Sequence, residues 1–228
     1  MAERIALVHS SEPAERAAEI LANSLATMAA QIGSPSLAIP GGSALAAVGL
    51  ARQRLGAIWR TIRLTWTDER CVPFVDGASN RGTAYRSGAL SAGDPPGDLL
   101  PLFLDGERGE DATKRVEGAL AARFGGKLDA VLLGLGADGH VASLFPGAAL
   151  HERALVAFVR ASPKPPAQRI TLTRSMLATA RHAVLVVSGE AKRPALLRLL
   201  AGDVLLPATA LARVSIVTDI ELATEESA

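Results

Sequence analysis

The chain of 228 residues is long enough to bury the core of one large domain, and its net charge of +1 excludes a general electrostatic attraction to nucleic acid or anionic membranes. A single cysteine excludes an intrachain disulfide, and no apolar run reaches the length of about 20 residues that spans a bilayer. The N-terminal residues turn polar too early for a signal peptide, so we expect a cytoplasmic protein.

Short apolar runs alternate along the chain with longer segments of helical period, as in proteins whose parallel strands are joined by crossover helices. This pattern predicts an α/β layered fold, in one large domain or two small ones, and the apolar runs indicate strands buried on both faces. Strands are predicted at residues 5–8, 36–39, 62–66, 100–104, 130–133, 155–159, 183–187 and 214–217.

Four helices are predicted between these strands. The first has Pro13 in its first turn and ends before Gly33. Helical spacing places four apolar side chains on its buried stripe: Leu21, Leu25, Met28 and Ile32. The others begin at Ser43, surround residue 120 and follow Gly189, while the proline-rich residues 94–101 and 162–166 are predicted to be loops.

A glycine-rich turn, Gly41-Gly42-Ser43, follows the second predicted strand and opens the second helix. Glycines let the backbone approach an anion, and a helix N-terminus presents free N–H groups and a positive dipole end. The turn is a candidate phosphate site, and a plain structural connection is the alternative interpretation.

A charged cluster, Asp68-Glu69-Arg70, follows the third predicted strand, with Ser79-Asn80 a few residues further on. The acids could accept a proton and the arginine could hold an anion, whereas the alternative is a solvated charge cluster beside a turn. Cys71 is interpreted as a small core residue to which we assign no chemistry.

The buried strand at 130–133 ends in a glycine-rich turn that projects Asp138 and His140. Histidine titrates near neutrality, so His140 could take a proton from water while Asp138 orients the ring. Residues 134–139 also satisfy the G-x-G-x-x-G pattern of dinucleotide-binding proteins, but that motif requires a helix immediately after it. Because Pro146 and Gly147 would stop such a helix, we favour a catalytic turn over a dinucleotide site.

Two further cations, Arg169 and Lys192, stand at the edges of predicted elements, where each could reach a phosphate or simply be solvated. The chain shows neither paired cysteines nor an H-E-x-x-H motif, and its histidines are scattered: His9, His140, His151 and His182. We therefore expect no required metal and no cofactor.

Together and in this order, these motifs resemble the 6-phosphogluconolactonase family. The matching stretches run from about residue 39 to 192, and the most specific of them extends from the strand at 130–133 through Asp138-Gly139-His140 to Phe145-Pro146-Gly147. The resemblance implies that residues 1–228 form a single modified Rossmann-like domain with a mostly parallel sheet and helices on both faces, shared with glucosamine-6-phosphate deaminases and ribose-5-phosphate isomerases. It also implies hydrolysis of 6-phosphogluconolactone in the oxidative pentose phosphate pathway.

Residue roles follow from the same resemblance. His140 would be the general base, Asp68 and Arg70 would lie at the sugar, and Gly136, Asp138 and Gly139 would form the supporting loop. The expected substrate- and phosphate-binding residues are Gly41, Gly42, Ser43, Asn80, Arg169 and Lys192. The phosphate loop departs from the family pattern, since Ala44 and Leu45 follow the serine where relatives usually have threonine and proline.

Two other functions compete with lactone hydrolysis. One is a glucosamine-6-phosphate deaminase or isomerase, which typically has tyrosine and glutamate where this chain has Arg70 and Phe145. Phenylalanine cannot relay a proton, which argues against that chemistry. The other is a sugar-phosphate sensor without turnover, which would need the cations but not a general base. The expected partner is a phosphorylated sugar lactone, and we expect a monomer or small homo-oligomer.

Overall fold

The computed structural model describes residues 5–148 and 153–222. Its strands are β1 (Ile5–His9), β2 (Ser36–Ile39), β3 (Arg63–Trp66), β4 (Asp68–Arg70), β5 (Asp98–Leu100), β6 (Ala130–Gly134), β7 (Val156–Val159), β8 (Arg169–Leu172), β9 (His182–Val187) and β10 (Val214–Thr218). Its α-helices are α1 (Pro13–Ile32), α2 (Ala46–Leu55), α3 (Asn80–Arg86), α4 (Gly109–Phe124), α5 (Arg174–Ala178) and α6 (Arg193–Leu200). Short 3₁₀ turns at Gly42–Leu45 and Glu190–Lys192 lead into α2 and α6.

Seven strands form one sheet in the order β1-β10-β9-β6-β2-β3-β5, and every neighbouring pair is parallel. The expected α/β fold with a mostly parallel sheet is therefore confirmed. From β2 the chain continues to β3 on one side, whereas the chain leaving β6 next joins this sheet at β9 on the other side. The carboxyl ends of β2 and β6 thus form a topological switch point, where α/β sheets usually bind ligands.

A second sheet, which the apolar pattern does not predict, consists of three antiparallel strands in the order β4-β8-β7. The segment at 155–159 is a strand as predicted, but it belongs to this sheet and not to the parallel one. Asp68 pairs with Thr171 and Arg70 pairs with Arg169, so the small sheet joins two segments that are distant in sequence. Charged residues dominate β4, which explains why its strand character is hidden in the sequence.

The hydrophobic core surrounds the central strands of the parallel sheet. Every residue of β2, β9 and β10 is buried. Helix α1 packs on α2 and on β9 and β10, and Leu21, Leu25 and Met28 lie on its buried face as predicted. Ile32 does not, since it is 46% exposed at the helix end. Burial of both faces is also wrong for β1, an edge strand whose Leu7 is exposed.

The strand expected at 100–104 is placed incorrectly. The observed strand β5 covers Asp98–Leu100 and lies inside the segment that we predicted to be a loop. Pro101 follows it and cannot donate a hydrogen bond to a sheet, so Leu102 and Phe103 are buried in a loop, while Leu104 is exposed. The segment is held in place by the ion pairs of Asp94 with Arg52 and of Glu107 with Arg115.

Within residues 5–148 and 153–222, no helix combines the length and the apolar character needed to cross a membrane. His151, one of the four scattered histidines, lies outside the described residues.

His182 is a buried histidine with a structural role in the core. The Nδ1 atom of His182 lies 2.9 Å from the hydroxyl of Ser24 on α1, and its Nε2 atom lies 2.9 Å from the hydroxyl of Ser215 on β10. Burial lowers the pKa of His182, and the charge of Arg213 lowers it further. The neutral ring therefore joins helix and sheet, and the folded state resists its protonation.

Burial of His182 in its neutral form should lower the free energy of unfolding at acidic pH. As the pH falls below about 6.5, the unfolded chain binds a proton at this histidine before the folded chain does, so the free energy of unfolding decreases. We expect urea denaturation to show a smaller loss of stability between pH 7 and pH 5 in His182→Gln than in the wild type. The same pH dependence in both proteins would contradict this assignment.

Candidate active site

The loops that follow β2, β3, β6 and β9 meet at the switch point around a cavity of about 230 Å³. Cations, hydrogen-bonding groups and glycines dominate its wall. The lining residues are Pro40, Gly41, Gly42, Ser43, Ala44, Thr67, Asp68, Arg70, Asn80, Gly134, Leu135, Gly136, His140, Ala142, Arg169 and Lys192. Of the expected site residues, Asp138 and Gly139 stand behind this wall.

The turn after β2 is shaped by its two glycines. A Cβ atom on Gly41 would lie 2.0 Å from Oδ1 of Asn80, so only glycine allows this close approach. Gly42 has a φ of 68°, which favours glycine, and it starts the 3₁₀ turn that leads into α2. Ser43 is exposed in this turn and lines the cavity together with Gly41 and Gly42.

Asp68 is a buried carboxylate, and each of its two oxygens accepts a side-chain hydrogen bond. Its Oδ2 atom accepts a 2.6 Å hydrogen bond from the Ser143 hydroxyl and lies 3.8 Å from Nη1 of Arg169. Its Oδ1 atom accepts a bond of 3.1 Å from Nδ2 of Asn80. Asp68 therefore connects β4 with helix α3, the loop after β6 and β8.

Glu69 has a structural role that the charged cluster did not reveal. It is 2% exposed, and its carboxylate accepts hydrogen bonds of 2.8, 2.7 and 2.7 Å from the backbone N–H groups of Arg70, Asn80 and Arg81. Burial raises the pKa of Glu69, while the bonds from Arg81, Asn80 and Arg70 oppose that rise. Because this carboxylate caps the N-terminus of α3 away from the cavity, it is not available as a proton acceptor.

Replacing this cap should destabilise the protein. Glu69→Ala removes the acceptor of three backbone N–H groups, so we expect a loss of about 3 kcal/mol in the free energy of unfolding. Activity should fall as well, because α3 carries Asn80 and thereby positions Asp68. The exposed Glu12 provides a control, since Glu12→Ala should change stability by less than about 0.5 kcal/mol. Equal urea midpoints for the two variants would contradict the capping role.

Arg70 borders the cavity, and only some of its hydrogen-bond donors have partners in the protein. Its Nη1 atom donates a 2.7 Å hydrogen bond to the carbonyl of Ala78, whereas its buried Nε atom has no partner among the described residues. The neighbouring Cys71 is half-buried, and burial, helped by the charges of Glu69, Glu107 and Glu110, raises the pKa of its thiol to about 12. This supports the interpretation that Cys71 carries no nucleophilic chemistry.

His140 and Asp138 form a close couple. The Nδ1 atom of the ring lies 2.5 Å from Oδ1 of Asp138, and a carboxylate only accepts, so Nδ1 carries the proton. The opposite ring nitrogen, Nε2, is then the basic one. The ring also stacks on Phe145, with 5.1 Å between the ring centroids.

The glycines of this turn allow the couple to form. A Cβ atom on Gly136 would lie 2.1 Å from Nδ1 of His140, and one on Gly139 would lie 2.4 Å from a methyl group of Leu206. Gly139 also has a φ of 89°. The backbone bonds from Gly136 to His140 and from Gly139 to Gly136, both 2.9 Å, close the turn.

Lys164 joins this couple, which sequence reasoning did not predict. Its Nζ atom lies 3.0 Å from Oδ2 of Asp138 and 3.2 Å from Nδ1 of His140. Burial alone would raise the pKa of Asp138, but the hydrogen bonds from His140 and Lys164, with the charge of His140, hold it well below its usual range. The proline-rich loop that carries Lys164 gave no local signal of this contact.

Arg169 lines the cavity, but most of its donors have protein partners. Its Nε atom donates to the carbonyl of Pro166 at 3.0 Å, and its Nη2 atom donates to those of Lys164 and Pro165 at 2.9 and 3.1 Å. Nη1 donates to the Ser143 hydroxyl at 3.3 Å. Of its five N–H groups, one on Nη1 has no hydrogen-bond partner among the described residues, and Nη1 lies 3.8 Å from Oδ2 of Asp68.

Lys192 ends the 3₁₀ turn after β9 and lines the cavity wall. Burial lowers the pKa of its ammonium group, and the charge of Asp219 opposes this shift. Asp219 also accepts hydrogen bonds from the Ser188 hydroxyl at 2.5 Å and from the backbone N–H of Gly189 at 2.8 Å, and so fixes the start of that turn. Sequence reasoning did not identify Asp219, whose only signal is its position directly after a buried strand.

The glycine-rich segment does not form a dinucleotide site. Turns and isolated bridges follow β6 over residues 135–148, with no helix, as the positions of Pro146 and Gly147 predict.

Over the described ranges, no three side chains of the metal-binding types His, Cys, Asp and Glu converge.

Comparison with known proteins identifies the family of the chain. The family model described as glucosamine-6-phosphate isomerases/6-phosphogluconolactonase matches residues 9–218. The chain is 35% identical to the 6-phosphogluconolactonase of Caulobacter vibrioides over 83% of its own length and 82% of the relative, and 35% identical to that of Homo sapiens over 88% and 74%. The crystal structure of a 6-phosphogluconolactonase from Shewanella baltica superposes with a TM-score of 0.81 at 27% identity, covering 96% of this chain and 99% of that one. The chain therefore belongs to the glucosamine-6-phosphate isomerase/6-phosphogluconolactonase family.

Proposed function

We propose that this protein hydrolyses 6-phospho-D-glucono-1,5-lactone to 6-phospho-D-gluconate, with His140 as the general base. The observation that carries the proposal is the His140–Asp138 couple, whose ring lines the same cavity as Arg70 and Lys192. A base and two cations in one cavity suit an anionic substrate that must be attacked by water. The proposal includes a cytoplasmic location, supported by the single cysteine, and a monomer or small homo-oligomer.

The phosphate is held by the turn after β2 together with the cations. Gly42 and Ser43 offer backbone N–H groups at a helix start, and Lys192 offers a half-buried ammonium group. Arg169 contributes its one remaining Nη1 N–H group. Because Ala44 and Leu45 supply no hydroxyl, the backbone and the cations carry more of the phosphate contact here than in relatives with threonine at this point.

The sugar end lies near Asp68 and Arg70. Asp68 retains acceptor capacity for a sugar hydroxyl, since a carboxylate offers about four lone-pair sites, while Asn80 orients it from behind. Arg70 stabilises the negative charge that develops on the lactone carbonyl oxygen. Holding both ends of the substrate fixes the carbonyl carbon near the imidazole.

Hydrolysis then needs two proton transfers. Nε2 of His140 takes a proton from water as the water oxygen attacks the carbonyl carbon, and Asp138 stabilises the imidazolium that forms. The tetrahedral intermediate collapses with cleavage of the bond to the ring oxygen, which receives the proton from Nε2. The product is the open-chain acid, which ionises to the carboxylate, and the free base is restored.

The surroundings of His140 favour this reaction over its rivals. Phe145 stacks on the ring, so the position where a deaminase would hold a relaying carboxyl group is apolar. A sugar-phosphate sensor needs the cations but not an imidazole oriented by a carboxylate. Each of the two rival functions predicts a different result in the assays described next.

The test is hydrolysis of freshly generated 6-phosphogluconolactone, with the spontaneous rate subtracted. We expect kcat/KM for the phosphorylated lactone to be much higher than for unphosphorylated gluconolactone. The spontaneous rate is subtracted for both substrates. Release of ammonia from glucosamine 6-phosphate would instead favour deamination. Binding of the phosphorylated lactone with no acceleration of its hydrolysis would favour the sensor.

A further inference from the structure

The loop at 162–166 brings a lysine to the side of the catalytic couple that faces away from the cavity. Lys164 is not among the cavity-lining residues of the described chain, yet its ammonium group touches both the carboxylate of Asp138 and the ring of His140. We propose that Lys164 is a positioning residue that fixes the orientation of Asp138 and limits the stability of the imidazolium at His140. This inference rests on the proposed function, because it concerns the base of that reaction.

The contacts of Lys164 lock the carboxylate in one orientation. Asp138 uses Oδ1 for the ring and Oδ2 for the ammonium group, so rotation of the carboxylate would break both contacts. Oδ1 therefore stays on Nδ1 of His140, and the ring keeps its proton on Nδ1. The basic Nε2 atom is thereby kept free for water.

The lysine also balances the charge of Asp138. Alone, a carboxylate beside the ring would stabilise the imidazolium and slow its return to the free base. A cation 3.2 Å from Nδ1 opposes that stabilisation. The other charged groups around the ring, which all line the cavity with it, are Asp68, Arg70, Arg169 and Lys192.

The loop is held so that the lysine reaches the couple. Arg169 is 4% exposed and donates to the carbonyls of three consecutive residues, 164 to 166. The loop is closed further by a 2.8 Å bond from the backbone N–H of Ser162 to the carbonyl of Ala167 and a 3.2 Å bond from the N–H of Lys164 to the Ser162 hydroxyl. A buried arginine thus anchors the backbone from which the half-exposed lysine extends.

The first test is kinetic. We expect Lys164→Met to lower kcat about tenfold with little change in KM, by analogy with the partners that orient metal-bound histidines, whose loss typically costs tenfold or more. The acid limb of its pH–rate profile should move to higher pH, since the cation that opposes the imidazolium is gone. Lys164→Arg should recover part of kcat and move the limb back. Lys114→Met, at an exposed position on α4, is the matched control and should behave as the wild type.

The second test reads the ring directly. In ¹⁵N NMR spectra, with the His140 signals assigned by their loss in His140→Asn, the wild type should show the Nδ1–H tautomer. Lys164→Met should show a mixture of tautomers and a titration midpoint at higher pH. An unchanged ring spectrum, or a fall in kcat with an unmoved pH profile, would overturn the positioning role while leaving lactone hydrolysis intact. A wild-type protein without lactonase activity would instead refute the proposed function, whatever the ring spectrum shows.

Discussion

The His140→Asn variant should lose about 10²- to 10⁴-fold in kcat, the usual contribution of a positioned general base. Asparagine keeps a polar side chain of similar reach but cannot accept a proton near neutral pH. KM should change little, because the proposed phosphate contacts lie at the turn after β2 and at Lys192 and do not involve His140. Initial rates on freshly prepared lactone, corrected for spontaneous hydrolysis, measure both parameters.

The control for this variant is His9→Asn. His9 is an exposed histidine at the end of β1 and does not line the cavity. It should retain wild-type kinetics. If His140→Asn hydrolysed the lactone as fast as the wild type, another group would have to be the base, and the mechanism proposed above would be wrong.

The Gly136→Ala variant should lose about 100-fold or more in kcat, approaching the loss of the base itself. The added methyl carbon would lie 2.1 Å from Nδ1 of His140 and 2.6 Å from Oδ1 of Asp138, the two atoms whose contact orients the ring. Either the ring or the carboxylate must move. We also expect the free energy of unfolding to fall by about 1–3 kcal/mol, as is typical when a packed site is overfilled.

The matched control is Gly118→Ala. Gly118 lies within α4, and apart from the helix's own backbone no atom lies within 4 Å of the position that a Cβ would occupy. Alanine there should raise stability by up to about 1 kcal/mol and leave kcat unchanged. Wild-type activity in Gly136→Ala would show that the turn accommodates a methyl group and that the observed spacing is not required for catalysis.

Much of the parallel sheet could be predicted because its strands are apolar and short. The runs at β2, β6, β9 and β10 are recognisable without their partners, and glycines or capping residues mark the turns that follow them. Since the carboxyl ends of parallel strands meet at one edge, the sequence also indicated that Gly42, Asp68, His140 and Lys192 would lie close together. The cavity contains all four.

The remainder of the site depends on contacts that leave no local pattern. Strand β4 consists of three charged residues, and only its pairing with β8 makes it a strand. Glu69 reads like a candidate acid, but its carboxylate turns inward to cap α3. In the sequence, nothing distinguishes Lys164 from the other lysines and arginines. Only the folded chain brings it to Asp138. Such roles are set by tertiary geometry, so residue type and spacing cannot reveal them.

The β4–β8 pairing also determines when activity can appear during folding. Asp68 reaches its place only when Thr171 is beside it, and closing so long a loop is slow compared with forming a helix or hairpin. Neither half of a growing polypeptide can assemble a working centre by itself. Turnover therefore requires segments from both halves of the chain, and we expect a nascent chain to stay inactive until β8 and Lys192 have been synthesised.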